Sequence, residues 1–358
     1  MAYLQINSQH FFSNYHQIAQ FIGQENIHKI AIVLKDNAYG HGLKEMAQLA
    51  KEAKITTCFV KNTKEALEIA AMFRHITILY PQSLEDKEAL QQCLKQDNIY
   101  FCVASLEALK LYPKQTKIEL EINSGMNRNG IQAQQLQEAF EIINKRELEL
   151  IGVFSHNGFG DDFGSEFYTQ NNEFLMVKKK VLELCNQYSF KKPRFHFFSS
   201  SGALRAVRYN ESLPLELQDD LFRIGIAFYG YLCQDIRFCG LNVKPIASLW
   251  ARKISTYFLK KGSRIGYGGV SETKEDTLVS SYDVGYGDGL FRLREGMELK
   301  TKEGFKIYPR SSMDCLSIQG DREELCIIED ANPWAEAFGT IPYEILVHLQ
   351  PTIPKKIV

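Results

Sequence analysis

Eight short apolar runs, alternating with segments of helical spacing, fill the first two thirds of this chain and restrict its architecture more than any other feature. The runs are KIAIVL (29–34), TTCFV (56–60), ITILY (76–80), IYFCV (99–103), KIELEI (117–122), LIGVFSH (150–156), RFHFFS (194–199) and RIGIAFYG (223–230). Each has the length and the β-branched or aromatic content of a buried strand. Between them GLKEMAQLAKEA, TKEALEIAAMF, LEDKEALQQCLKQ, QAQQLQEAFEIINKRE and EFLMVKKKVLELCNQY repeat apolar residues every three or four positions, several behind Ser, Thr or Asp caps. Eight such alternations predict an α/β fold, a TIM-like (β/α)8 barrel whose site lies where the parallel strands end. A doubly wound open sheet is the structural alternative.

The alternation stops near YLCQDIRFCGLNVKP. Beyond it, SLWARKIS, RIGYGGV, TLVSSYDVGYGDG, MELKTKEGFKIYP, ELCIIED and PYEILVHL read as short strands between Gly-rich turns, with one helix expected around Pro333 to Ala337. A chain of 358 residues exceeds what one core usually fills, so the division is a barrel over 9–235 and a mainly β C-terminal domain over 236–358.

The formal charge of −1 leaves no electrostatic footprint for nucleic acid or an anionic membrane, and no apolar run reaches spanning length. Eight cysteines (Cys58, Cys93, Cys102, Cys185, Cys233, Cys239, Cys315 and Cys326) form no C-x-x-C pair and sit mostly in apolar runs, as reduced, buried thiols do. MAYLQINSQHFFSNYHQ lacks the basic and apolar regions of a secretory signal, so a soluble, cytoplasmic protein is expected.

On the barrel reading, the strand ends deliver polar groups to one mouth. Strand one leads to Lys35 and Tyr39, strand five to Arg128 in NSGMNRNG, strand six to His156, strand seven to Ser200 and Ser201, and strand eight carries Arg223 and Gly225. Each alone is ordinary: a surface lysine, a core histidine, two loop serines. Together they suit one chemistry. Desolvation lowers the pKa of a pocket lysine, which makes it a nucleophile toward an aldehyde and later a base. Glycine amides with Ser and Tyr hydroxyls can hold a phosphate dianion, and an arginine can tune a pyridine nitrogen. These are the requirements of a pyridoxal 5'-phosphate site. H-E-x-x-H, EF-hand, P-loop and G-x-G-x-x-G patterns are absent, no metal is expected, and FSSSG lacks a nucleophile elbow.

LKDNAYGHG, INSGMNRNG, FSHNGFGDD, SSSGAL, FRIGIAFYG, RIGYGG, VGYGDGLFR, SSMDC and GTIPYEIL, in this order along the whole chain, resemble the alanine racemase family of fold-type III pyridoxal phosphate enzymes. The resemblance implies that residues 1–8 join the C-terminal domain, and that a homodimer lends each site residues from the partner. It implies that Lys35 binds the cofactor covalently, that Tyr39, Ser201, Gly225, Ile226 and Tyr343 hold its phosphate, that His156 lies against its ring and that Arg223 meets the ring nitrogen. Tyr267, rather than Tyr286, matches a second base that acts from the partner on the L face of the substrate, with Lys35 on the D face. Arg128 and Met313 match residues at the substrate carboxylate, and Asp314 a gate residue. The implied activity is interconversion of L-alanine and D-alanine, feeding peptidoglycan synthesis.

The chain departs from the family at Glu121, where many members carry a lysine that becomes carbamylated. In KIELEI, Lys117, Glu119 and Glu121 share one face and Ile118, Leu120 and Ile122 the other, so Glu121 would face the barrel interior with Arg128 as its expected partner. Glu121 would then supply the negative charge without carbon dioxide. Ser200 stands where asparagine is common, Asn123 where aspartate is usual, and LQPTIPKKIV lacks a frequent arginine-rich ending. The competing activities are a broad-specificity or serine racemase, a decarboxylase of the same architecture, and a pyridoxal phosphate homeostasis protein. The β domain argues against the last, and Cys315 alone is a poor match to the decarboxylase.

Overall fold

A computed structural model describes residues 1–80, 87–232 and 240–358. By their contacts they fall into two compact units, Phe12–Lys35 with Ala47–Val243, and Met1–Phe11 with Asp36–Met46 and Lys244–Val358. The expected boundary at 235/236, together with Cys233 and Cys239, lies outside the described residues.

All eight predicted runs overlap strands of the first unit, Ile30–Val33, Thr57–Val60, His75–Ile78, Ile99–Val103, Lys117–Asn123, Glu149–Phe154, Arg194–His196 and Phe222–Ile224, hereafter strands one to eight, although of RIGIAFYG only Arg223 and Ile224 are strand and the rest is turn. Strands one, two and four are buried at every position, as expected when side chains on one face fill a barrel and those on the other meet helices. Neighbours pair in parallel in chain order, with strand eight beside strand one. A parallel bridge between His196 and Leu221 nearly closes the ring, joined by Arg223 N donating to Phe198 O at 3.0 Å.

The predicted helices form over Leu43–Glu52, Thr63–Glu68, Lys87–Leu94, Leu136–Arg146 and Glu166–Tyr188, residues 84–86 of LEDKEALQQCLKQ lying outside the described residues. Among the helices that form where the sequence reading places none are Ser8–Ile22 and Ser200–Ser212. The second turns SSSGAL from loop into helix, because Ala203, Leu204, Ala206, Val207 and Asn210 place buried groups on one helical face.

In the second unit the strand Ala247–Leu259 pairs antiparallel with Tyr3–Ile6, Thr277–Tyr282 and Glu324–Ile328. Lys355–Ile357 runs parallel to Tyr3–Ile6, and Leu316–Gln319 extends the sheet beyond Thr277–Tyr282. The N-terminal residues thus join this unit, and Asn332–Phe338 is the expected helix. PYEILVHL is not a strand: Pro342–Val347 is helical, with proline in the first turn and Pro342, Ile345, Leu346 and Leu349 buried at helical spacing. In RIGYGGV only Arg264–Ile265 is strand, because Gly266, Gly268 and Gly269 adopt positive φ and curl Tyr267–Gly269 into a 3-10 turn. Cys58, Cys93, Cys102, Cys185 and Cys326 are buried free thiols, and Cys315 is half-buried. Among the described residues no helix is long and apolar enough to cross a membrane.

Candidate active site

Lys35 is half-buried at the end of strand one, directly after Leu34, whose N–H donates to Phe59 O at 2.7 Å. The next four residues, Asp36, Asn37, Ala38 and Tyr39, are left-handed, with φ between 52° and 55°. Such residues cost roughly 1–2 kcal/mol each, so other bonds must hold the turn. Gly40 N donates to Asp36 O at 3.1 Å, Gly42 N to Asn37 O at 3.0 Å, and Leu43 N to Asn37 Oδ1 at 2.9 Å. Buried His41 contacts Ala38 O at 3.1 Å and Tyr39 O at 3.0 Å through Nδ1. Carbonyls only accept, so Nδ1 carries the proton; burial lowers this imidazole to about 4. A Cβ on Gly40 would stand 2.0 Å from Leu346 O, so only glycine fits there.

Strand eight contributes Arg223, whose guanidinium is buried among acceptors. One terminal nitrogen bonds His196 Nδ1 and reaches His196 O at 3.3 Å; the other donates to Ser155 O at 2.7 Å and Phe197 O at 3.2 Å and lies 3.3 Å from His156 Nδ1. Burial lowers Arg223 to about 10, which leaves it charged at neutral pH. Burial, then Arg223, Arg128 and Lys35, push His156 well below the usual histidine range, so it is neutral.

The expected phosphate hydroxyl is that of Ser201, with Ser200 directly before it. Ser200, the first residue of helix Ser200–Ser212, is the serine whose Oγ receives Gly225 N at 3.0 Å and Ala227 N at 3.4 Å. Ser201 is buried on the next helical position, and Ile226 is buried in the turn after strand eight. The combination of a helix N-terminus, a hydroxyl with its own proton to donate, and a backbone turn suits an anion.

Glu121 is only 6% exposed, so it is an interior carboxylate. Its partner is not Arg128: Oε2 receives Asn129 Nδ2 at 2.9 Å and Cys102 Sγ at 3.6 Å. Arg128 is exposed on the loop after strand five, and among the described residues no carboxylate pairs with it. Asn123 organises that loop, its Oδ1 accepting Gly125 N and Asn127 N, each at 3.0 Å. Sequence reasoning missed Glu119, Arg194 and His196 as a group. Glu119 is bound by Arg194 and lies 3.2 Å from His196 Nε2, and Arg194 reaches Thr77 Oγ1 at 2.9 Å across the barrel. A histidine and a glutamate inside otherwise apolar runs were the available signal.

Within the second unit Tyr39 and Tyr343 pack ring to ring at 5.7 Å. Tyr267 is 60% exposed, and the Arg292 guanidinium lies 5.7 Å from both its ring and that of Tyr286. Met313 and Asp314 are exposed in a loop whose backbone meets the GYGDG turn, Gly287 N donating to Met313 O at 2.8 Å. Among the described residues no three His, Cys, Asp or Glu side chains group as metal ligands.

Fold and site together define a barrel enzyme with a second β domain, built around a strand-end lysine and a buried arginine. The chain matches the alanine racemase N-terminal domain over residues 6–233 and the alanine racemase C-terminal domain over residues 246–357. It is 41% identical to the alanine racemase of Campylobacter concisus over 337 residues, covering 94% of this chain and 93% of that one. With the alanine racemase of Nitratiruptor sp. it shares 38% identity over 349 residues, 98% of this chain and 97% of the other. The crystal structure of alanine racemase from Bacillus anthracis with bound L-Ala-P is similar at a TM-score of 0.83 and 26% identity, covering 100% of this chain and 95% of that one. The chain belongs to the alanine racemase family.

Proposed function

We propose that this chain is a pyridoxal 5'-phosphate-dependent racemase interconverting L-alanine and D-alanine. The observation that carries the reading is the grouping of Lys35, a neutral His156 and a charged, buried Arg223 at the strand ends, with Ser200 at a helix start bonded to the Gly225 turn beside them. The donor set fits the cofactor: an amine for an aldehyde, hydroxyl and helix-terminal N–H groups for a phosphate, and a guanidinium for a ring nitrogen. Lys35 would hold the cofactor, with Tyr39, Ser200, Ser201, Gly225, Ile226 and Tyr343 around its phosphate and His156 against its ring. Ser201 remains the expected phosphate hydroxyl, with Ser200 beside it tying the helix start to the Gly225 turn.

When bound, pyridoxal phosphate acidifies the Cα proton of an attached amino acid by drawing electrons from it. Inversion then requires a proton acceptor on each face of Cα. Lys35 supplies one and Tyr267 of a second copy of the chain the other, while Arg128, Met313 and Asp314 receive and orient the carboxylate. Arg223 opposes a second positive charge beside it, which discourages protonation of the ring nitrogen. Glu121, an interior carboxylate without a carbamate, supplies the negative charge near this corner. The exposed Tyr267 and Met313, with Ile254, Tyr257 and Phe258, favour a homodimer that covers them. The division into a barrel over 9–235 and a β domain over 236–358 with 1–8 belongs to the same reading, as do a cytoplasmic location and a supply of D-alanine for peptidoglycan.

The test is incubation of purified protein with pyridoxal phosphate and L-alanine in D2O, following the α-proton by NMR and D-alanine by chiral chromatography. Loss of the α-proton with growth of D-alanine is expected. Exchange without D-alanine, or turnover of serine or a basic amino acid alone, would refute the assignment.

A further inference from the structure

The interior of the barrel holds a polar chain that the proposed reaction does not use directly. Arg223 has only donors, so the contact between its terminal nitrogen and His196 Nδ1 requires that nitrogen to accept. The ring proton must then sit on Nε2, and the group facing Nε2 at 3.2 Å is Glu119 Oε2. The opposite tautomer would set Nδ1–H against a guanidinium donor and a lone pair against a carboxylate. The surroundings hold the imidazole in place: Phe154 stacks on it at 4.7 Å and Phe59 packs on it at 5.2 Å.

Glu119 is itself held. Arg194 binds Glu119 Oε1 through Nε and a terminal nitrogen and anchors to Thr77 on strand three. Strand six leaves room for the carboxylate, since a Cβ on Gly152 would lie 2.8 Å from Glu119 Oε1. Burial raises the Glu119 carboxyl, but Arg194 and then His196 outweigh it and leave it at about 2. His196 is lowered by burial to about 4 although Glu119 pulls it upward. A buried cluster of this kind is often no more stable than apolar packing, so stability alone is a weak reason for it.

We propose that Glu119 is a positioning residue: it fixes the His196 tautomer that accepts from Arg223, and thereby fixes the guanidinium that meets the cofactor ring. The proposal rests on the assignment of Arg223 to the ring nitrogen. The carboxylate and the imidazole never touch substrate; they act through Arg223.

The first measurement is independent of the cofactor. Nitrogen NMR of cofactor-free protein, with the His196 signal assigned by its loss in His196→Phe, should show protonated Nε2 and unprotonated Nδ1. A proton on Nδ1 would overturn the proposal. Two variants then test consequence. Glu119→Gln removes the charge, and Gly152→Ala presses on the carboxylate without replacing a hydrogen-bonding group. Each should shift the His196 signal and, after loading with pyridoxal phosphate, lower kcat for alanine about tenfold to 100-fold with KM within about threefold. Pyruvate released per racemisation, the signature of stray amino transfer to the cofactor, should rise about tenfold in both. A shifted tautomer with unchanged kcat and pyruvate release would show that the chain is structural and overturn the proposal. Failure of the unmodified protein to bind pyridoxal phosphate would sink the functional assignment and leave the tautomer result standing.

Discussion

His41 allows a quantitative test of the turn that follows Lys35. Its imidazole is fully buried, donates from Nδ1 to the carbonyls of Ala38 and Tyr39, and titrates at about 4 when folded. An unfolded histidine titrates near 6.5, so as pH falls the unfolded chain takes up the proton first and the folded state loses ground between about 6.5 and 4. The loss amounts to about 2 kcal/mol by pH 5 and about 3 kcal/mol by pH 4. His41→Asn has no ring to titrate. At pH 7.5 it should be less stable than the parent by about 1–3 kcal/mol, from a weakened bond to the strained turn. At pH 5 the gap should narrow by about 2 kcal/mol, or reverse. His196 and Glu119 titrate in the acid range too, but they are common to both proteins and cancel in the comparison. Urea unfolding followed by tryptophan fluorescence at pH 7.5, 6.0 and 5.0 measures it. A gap that stays constant within about 0.5 kcal/mol would mean that the buried neutral imidazole is not what links this turn to pH.

Lys35→Ala should abolish the visible absorbance of bound pyridoxal phosphate, and a spectrum that survives dialysis would place the cofactor elsewhere. Tyr267→Phe should suppress solvent exchange at Cα chiefly with L-alanine and spare it with D-alanine; equal losses for both isomers would exclude a one-sided base. Glu121→Lys should lose activity in carbonate-free buffer, because Asn129 and Cys102 then face a cation; full activity would show that the negative charge is dispensable. Lys178→Met should destabilise the fold by about 3–5 kcal/mol in urea, since buried Asp219 would lose its counter-ion, and a change below about 1 kcal/mol would contradict that account.

The strand order was legible because burial on both faces leaves continuous apolar runs, and because the alternation with helices admits few topologies. The positions of Lys35 and His156 were legible for the same reason: a residue just beyond or last in such a run is delivered to the strand end. Helix Pro342–Val347 was misread as strand because an apolar tetrapeptide has no period of its own, although Pro342, Ile345 and Leu346 carried helical spacing. The partners of Glu119 and Glu121 could not be read. The face of strand five was evident from alternation, but the pairing of Glu119 with Arg194 and His196 joins residues more than seventy positions apart, which only closure of the barrel brings together. That Ser200 and Ser201 open a helix was not legible, because the register of a helix start is invisible until the helix is built.

The charges at the Arg223 end form one consistent arrangement. Arg223 stays protonated despite burial, because Glu121, Asp219 and Glu119 lie close enough to offset part of the desolvation. His156, 3.3 Å from the same guanidinium, is driven neutral by burial and then by the positive charges of Arg223, Arg128 and Lys35. The corner therefore tolerates one cation on the guanidinium and resists a second beside it. A pyridine nitrogen set against Arg223 would meet the same resistance as His156 and would accept a hydrogen bond without taking a proton. Electron density drawn from Cα would then remain less delocalised into the ring, which favours returning a proton to Cα over delivering it to the cofactor. That bias is what a racemase needs and a transaminase does not, and it arises from the burial of Arg223 and the acceptors that hold it.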